Sequence, residues 1–359
     1  MTISDKWLTM GLLCISGSFI YWLPFFTEIF YVPMEDAFGF SKTEIGILLS
    51  TFGFVAMIGY FPGGWLADRF PARSLISVAL VISALSGFVF STIPSFEICI
   101  ILHAIWGLST ACIFWSAMIK TTRNWGTSEE QGRAFGILEG GRTLTDMIST
   151  TIFLAIFAFR GSNDAALSEV LVLISLSLVV LAFLVWRVME ADSPREDKDQ
   201  QQAPKVTATV IIETLKLPMV WLIAIVIMAA YTGMWGSIFF TPYATEAYEL
   251  GDVGGGAIGA GKYWIAPFAA IAGGFFADKI GPAKAVLGFF IIMTASFLVF
   301  GLIPGAPGLL PLLIINGALL AGVVFALRGI YFSLLEQGGI PIAVTGTATG
   351  IVSVIGYTP

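Results

Sequence analysis

Charge is scarce in this chain. Of its 359 residues only 12% are Asp, Glu, Lys or Arg, where a soluble globular domain carries about 25%. That excludes a soluble enzyme at the outset. A basic face is missing as well: the net charge is -6, which speaks against nucleic acid as a partner. Histidine occurs once, at His103, so no Ser-His-Asp constellation can be assembled around it. The three cysteines, Cys14, Cys99 and Cys112, fall singly in apolar stretches. Without a CxxC spacing they give neither a disulfide framework nor a zinc site. No phosphate-binding Walker loop is present, which rules out ATP-driven pumping by this chain. The run Gly254-Gly255-Gly256 reads as close helix packing. No cofactor and no metal is expected.

What the chain does have is long apolar runs. A bilayer core needs about 20 apolar residues per helix, and ten full stretches meet that length, at 8–31, 43–66, 73–93, 97–119, 133–158, 166–188, 218–242, 254–277, 284–303 and 309–334. An eleventh, partial one covers 343–359. The first is too long for a signal peptide, lacks a small-residue cleavage site and reads as a retained helix. The second opens with Ser41-Lys42-Thr43-Glu44, a capping-box pattern. The reading is an all-α polytopic membrane protein. With the N-terminus in the cytoplasm, thirteen basic residues outside the spans fall on that side, and only Lys42 and Arg160 fall on the other. This is the positive-inside pattern.

Residues 190–216 form the one long polar stretch, with Asp192, Glu196, Asp197, Asp199 and three consecutive glutamines. It reads as a solvated connector, a regulatory segment being the alternative. It divides the chain into an N-terminal six-helix bundle at 1–189 and a C-terminal bundle at 217–359. The two halves repeat one another. Gly64-Trp65-Leu66-Ala67-Asp68-Arg69 matches Gly274-Phe275-Phe276-Ala277-Asp278-Lys279 at an offset of 210, and Gly132-Arg133-Ala134-Phe135-Gly136 matches Gly346-Thr347-Ala348-Thr349-Gly350 at 214. Paired bundles built from repeats are a common architecture of secondary transporters, with the site between repeats.

The Gly-x-Leu-Ala-Asp-Arg loop after the second span, present again in the second half, resembles the signature loop of the major facilitator superfamily. Pro71 stands where that family usually has glycine. The resemblance implies two pseudo-symmetric six-helix bundles. It also implies a gating role for Gly64, Asp68, Arg69 and Arg73, with Asp278 and Lys279 as the second copy. It lines a central cavity with the first, fourth, seventh and tenth helices. The stretches Phe30–Met34, Glu130–Gly136 and Ile355–Pro359 are similar to a bacterial inner-membrane branch of mostly unassigned substrate. The chain stops at Pro359 in mid-helix, so the end of an eleventh helix and a twelfth are expected beyond it; a natural eleven-helix protein is the alternative.

Ionisable residues inside spans cost about 2.5–3.5 kcal/mol at the bilayer centre and default to functional candidates. The fifth span holds Glu139, Arg142 and Asp146, on one helix face by their spacing of three and four. They read either as a neutralised ion-pair cluster or as a site for substrate or protons. Lys262 and Arg328 have no acid one turn away, so their partners must come from other helices or from an anionic substrate. Arginine suits bidentate recognition of a carboxylate. Glu28 and His103 complete the proton-coupling candidates, against an interface-facing acid and a packed histidine. Tyr21, Trp106, Tyr231 and Trp235 lie away from the membrane edges and could stack on a solute, or simply pack. Tyr331 shares a face with Arg328.

The expected function is secondary transport of a small polar solute, an organic anion such as a sugar acid or carboxylate. The counter-charges are Arg142, Lys262 and Arg328, and a proton drives the cycle. A neutral sugar or nucleoside porter and a non-transporting sensor of the same fold are the alternatives. The expected setting is a monomer in the lipid bilayer of a bacterial inner membrane.

Overall fold

The computed structural model describes residues 3–189, 208–236 and 240–359, and these are helical without a strand among them. They form two compact units that do not follow chain order. The first gathers Met1–Thr122, Ile148–Val220 and Pro341–Val354; the second gathers Arg123–Met147, Trp221–Ile340 and Ile355–Pro359.

In the first unit, α1 (Ile3–Phe19) and α2 (Thr27–Phe38) occupy the first expected span. That span is broken, where the sequence reading has one continuous helix. Residues 20–26 are a turn in which the N–H of Tyr21 and Trp22 bond back only three residues, to Ser18 and Phe19. Pro24 lies inside it and has no N–H to continue a helix. The α3 helix (Lys42–Arg69) starts at Ser41 with the expected capping box, closed by Ser41 N–H donating to Glu44 Oε2 at 2.8 Å. The α4 helix (Ala72–Phe90) packs along α8 (Asp164–Val188). The fourth expected span is composite: α5 (Phe96–Gly107), a π-helical stretch at Leu108–Trp115, then α6 (Ser116–Trp125). Where the wide turn begins, Thr110 Oγ1 donates to the Trp106 carbonyl at 2.7 Å, the kind of side-chain competition that loosens a regular ladder. This stretch presses on α3, and a Cβ at Gly63 would stand 2.5 Å from the Cys112 carbonyl.

The α7 helix (Gln131–Phe159) serves both units, its residues up to Met147 belonging to the second. The short α9 (Ala208–Leu215) falls in the expected connector, whose residues 190–207 lie outside the described ones. The second unit then contains α10 (Pro218–Gly236), α11 (Phe240–Ala247), α12 (Gly251–Ile280), α13 (Pro282–Leu302), α14 (Leu310–Ile330) and the short α15 (Leu334–Gln337). Within it α12 and α14 touch at bare backbone, Gly329 against Ala270 and Gly273 against Ala326. The last helix, α16 (Thr345–Gly356), belongs to the first unit through Val354. Eight described helices are long and apolar enough to cross a membrane, with Ile342–Gly356 a shorter apolar one.

Candidate functional site

The second unit encloses a charged cluster built on α7 and α14. One helical turn brings Arg142 Nη1 to 3.0 Å from Glu139 Oε2, as the spacing of three predicts. The other carboxylate oxygen, Glu139 Oε1, lies 2.6 Å from Arg328 Nη2, out of line for a hydrogen bond. Glu139 and Arg142 are only 6% and 9% exposed. One carboxylate thus serves two guanidinium groups, and the trio carries one net positive charge. Arg328 is under-used. Its Nη1 meets the Met234 thioether at 3.2 Å, a weak acceptor, and its buried Nε has no hydrogen-bond acceptor among the described residues. A guanidinium has five donors in a fixed fork, so part of the Arg328 fork lacks a strong acceptor among the described residues.

Three phenols surround that guanidinium. Tyr231 of α10 stands 5.7 Å from it, ring centroid to Cζ. Tyr231 packs edge-on against Tyr357 at 4.6 Å, and the Tyr357 and Tyr331 hydroxyls are 3.4 Å apart. Of this set, Tyr231 and Arg328 were singled out by position in the sequence, and Tyr331 by its shared face with Arg328. Tyr357 and Met234 were not. Tyr357 falls in the partial eleventh span and in the Ile355–Pro359 stretch, which carries a family likeness but no charge to mark a site, and Met234 has no signal beyond its apolar run.

Asp146, one turn beyond Arg142, is exposed. Lys262 is half-buried with its ammonium 5.1 Å from the Tyr263 ring, and Trp235 is 42% exposed. In the first unit Glu28 is exposed, and Tyr21 meets Trp115 edge-on at 6.4 Å. Trp106 is fully buried and donates Nε1–H to Ser86 Oγ at 2.8 Å, which makes it core. His103 is 1% exposed, with Nδ1 2.8 Å from the Cys99 carbonyl of its own helix and its ring against Trp106. His103→Gln is therefore expected to leave the pH profile of uptake unchanged while costing about 1–2 kcal/mol in a melting experiment.

The repeated loops form two latches of the same design, one in each unit. In the first unit Asp68 at the end of α3 caps the N-terminus of α16. Its Oδ1 accepts from Gly346 N–H at 2.8 Å, and its Oδ2 from Thr347 N–H at 2.6 Å and Thr347 Oγ1 at 2.7 Å. These are donors a helix start cannot satisfy internally. In the second unit Asp278 at the end of α12 accepts from Arg133 N–H at the start of α7, 3.1 Å away. The glycines below them cross in matching fashion. A Cβ at Gly64 would meet the Gly346 carbonyl and one at Gly350 the Tyr60 carbonyl; one at Gly274 would meet Gly132 and one at Gly136 the Ala270 carbonyl. Each pair of positions follows the sequence repeat. Lys120 joins the first latch, its Nζ 3.5 Å from Asp68 Oδ1. Arg69 and Arg73 do not: their guanidinium groups lie over Trp65 and Trp186, at 5.1 and 4.6 Å. Gly132 and Arg133 are the positions that sequence reasoning left out of the second latch, and Lys279 is exposed.

A family comparison bears on these paired latches. The sequence pattern of the major facilitator superfamily matches residues 9–357. The chain belongs to the major facilitator superfamily. Among relatives, it is 29% identical to the inner membrane protein YihN of Escherichia coli, over all of this chain and 86% of that protein. It is 26% identical to the E. coli inner membrane protein YqcE, over 99% and 84%. A probable sulfoacetate transporter of Cupriavidus necator matches 45% of this chain and 38% of its own length at 27% identity. Among solved structures, the E. coli fucose:proton symporter FucP superposes with a TM-score of 0.72 at 13% identity, covering 99% of this chain and 89% of that one. The human organic anion transporter MFSD10 gives 0.67 at 14%, covering 97% and 88%. Superfamily membership makes the chain a multi-pass membrane transporter and accounts for the repeat.

One further contact was hidden from a reading of superfamily motifs. Arg123, whose position at the end of a span suggests topology and the helix dipole, is 2% exposed. Its Nη2 donates to Glu336 Oε2 at 2.7 Å and to the Ile340 carbonyl at 2.5 Å, holding α15 and the chain just after it. Gln131 Nε2 in turn donates to the Arg123 carbonyl at 2.9 Å.

Proposed function

We propose that the protein is a secondary transporter of a small organic anion, working by alternating access in a bacterial inner membrane with its N-terminus in the cytoplasm. The observation that carries this is Arg328: a buried guanidinium, paired with a carboxylate that a second arginine shares, with part of its donor fork facing only a thioether. A buried cation is tolerated when paired. One with unmet donors beside three phenols is suited to a carboxylate or sulfonate, which the guanidinium fork can hold bidentately. The relatives described as a sulfoacetate transporter and an organic anion transporter support the class, and the E. coli relatives described as inner membrane proteins support the location. By the distribution of basic residues the two aspartate latches lie at the cytoplasmic end. Opening them is the step that exposes the site to that side. Proton symport is the proposed drive, in line with the neighbour described as a fucose:proton symporter. Asp146, exposed one turn from Arg142, is the carboxylate placed to take the proton. The N-terminal bundle at 1–189 and the C-terminal bundle at 217–359 are the halves that rock.

A ligand screen on the purified protein tests the reading. Sugar acids, carboxylates, sulfonates, neutral sugars and nucleosides are compared by thermal shift. A ligand at 100 times its Kd stabilises by about 2.7 kcal/mol. The expected result is a shift with anions, followed by uptake of the same anion into proteoliposomes that rises with an inward proton gradient. A shift with neutral sugars or nucleosides alone moves recognition from the guanidinium to the tyrosines. Binding without uptake turns the protein into a sensor.

A further inference from the structure

We propose that Arg73 and Trp186 hold the phosphate of an anionic phospholipid, with Arg69 and Arg187 as flanking charges. The proposal does not depend on which solute is carried. It starts from two arginines that the superfamily resemblance gives to gating and that the Asp68 latch leaves aside. Asp68 takes its ion pair from Lys120. Arg69 is exposed and lies over Trp65, one turn back on α3. Arg73, in the first turn of α4, reaches α8, which packs along α4, and places its Cζ 4.6 Å from the Trp186 ring centroid. Arg187 follows Trp186 and is exposed. Among the described residues no carboxylate is paired with any of these three guanidinium groups. The Arg73 Nε is buried and has no hydrogen-bond acceptor among the described residues.

The ring face attracts the Arg73 charge, but it offers no lone pair to the in-plane Nε–H. An oxyanion supplies that acceptor, and a phosphate matches the guanidinium fork with two oxygens at once. What surrounds the fork points to a lipid rather than a soluble phosphate. Trp186 is 48% exposed, the half-open setting in which indoles mark the headgroup level. Away from it the outward residues of both helices are apolar: Val78, Val81 and Leu85 on α4, and Val180, Phe183 and Leu184 on α8. They give acyl chains a surface to lie on below a phosphate at the fork, and a soluble phosphate would leave that surface unmatched. Charge selects among lipids. In a zwitterionic headgroup the phosphate carries its own cation, whereas phosphatidylglycerol brings a net negative charge to the three guanidinium groups. The positive-inside distribution puts this end of α4 and α8 in the cytoplasmic leaflet, where anionic lipids attract basic residues.

Native mass spectrometry of the full chain tests this, with phosphatidylglycerol and phosphatidylcholine of the same acyl chains titrated in turn. Phosphatidylglycerol is expected to bind at least about tenfold tighter. Arg73→Gln is expected to lower its affinity by about tenfold or more, and Trp186→Leu by about threefold. Arg160→Gln, at the far end of α8 beside Glu169, is expected to leave it unchanged. Melting in nanodiscs separates a lipid contact from a structural one. Phosphatidylglycerol is expected to raise the melting temperature of the wild type above that in phosphatidylcholine alone, and Arg73→Gln to lose that increment. A structural arginine would lower the melting temperature equally in both lipids, and that result overturns the proposal. Equal affinity for the two lipids overturns it as well, as does a loss in Arg73→Gln no larger than in Arg160→Gln. Inorganic phosphate and glycerol 3-phosphate are the soluble arms. Displacement of the bound lipid by either at millimolar concentration reassigns the fork to a soluble anion and overturns the lipid. If Arg73→Gln fails to fold, the two-lipid comparison on the wild type and the loss in Trp186→Leu decide alone.

Discussion

Arg328→Gln is expected to lower anion affinity by at least about 100-fold and to abolish uptake. The substitution removes a guanidinium whose fork is not fully engaged, and with it two charge-assisted hydrogen bonds of about 1.5–3 kcal/mol each. It also takes the trio from one net positive charge to zero. The fold should survive. Breaking a buried ion pair costs about 3–5 kcal/mol when it strands a charge, but Glu139 keeps Arg142 at 3.0 Å. Arg328→Lys separates charge from geometry. It restores the net charge without the planar fork, and an intermediate loss of about tenfold is expected. Calorimetry reads both, with size-exclusion profiles as the check on folding. Unchanged affinity in Arg328→Gln would remove Arg328 from the site and leave the tyrosines as its recognition elements.

The reason Arg328 could be suspected from sequence but not understood lies in what spacing encodes. A helix reports on its own neighbours: Glu139 and Arg142 are one turn apart, and their bond was legible before any fold was known. Nothing in the order of residues says that Arg328 shares that same carboxylate, because that pairing is made by the packing of α12 against both α7 and α14. The apolar runs gave the spans well, since a membrane leaves helices few alternatives. They failed where backbone hydrogen bonding is locally rerouted. Pro24 was visible, but the turn at residues 20–26 also needs packing that a hydropathy profile does not contain. The π-helical stretch at Leu108–Trp115 depends on hydroxyls bonding back to the Trp106 carbonyl. Mid-span aromatics read alike from the sequence, yet Trp106 is core and Tyr231 faces a guanidinium. The repeat was the most informative feature. Two offsets of nearly equal size match Gly64 to Gly274 and Gly132 to Gly346, and the two units show equivalent crossings, Gly64 against Gly346 in one and Gly274 against Gly132 in the other.

Those crossings make the second large effect testable by symmetry. Gly64→Ala and Gly274→Ala are each expected to cut transport turnover by about tenfold or more while leaving anion affinity within about twofold of the wild type. A Cβ on Gly64 would stand 2.4 Å from the Gly346 carbonyl oxygen, and one on Gly274 2.5 Å from that of Gly132. Both obstacles are backbone atoms, so no side chain can swing aside and the helices must part. Overpacking of this kind costs about 1–3 kcal/mol. In a protein that alternates between two arrangements, the cost falls only on the one in which α3 meets α16, or α12 meets α7. Coupling energies of that size correspond to about 5–150-fold in an equilibrium. Alanine also favours helix over glycine by about 1 kcal/mol in either arrangement, so the melting temperature need not fall even as turnover does. Gly53 is the control: a Cβ there meets nothing within 4 Å, and Gly53→Ala is expected to transport normally. Cysteine accessibility at the latch end should rise in both test variants, because the latched arrangement is the one they penalise. Equal losses at Gly64 and Gly274 would mean that both latches must close in each cycle. A loss at one alone would mean that the repeat has kept its geometry in both copies but its function in one.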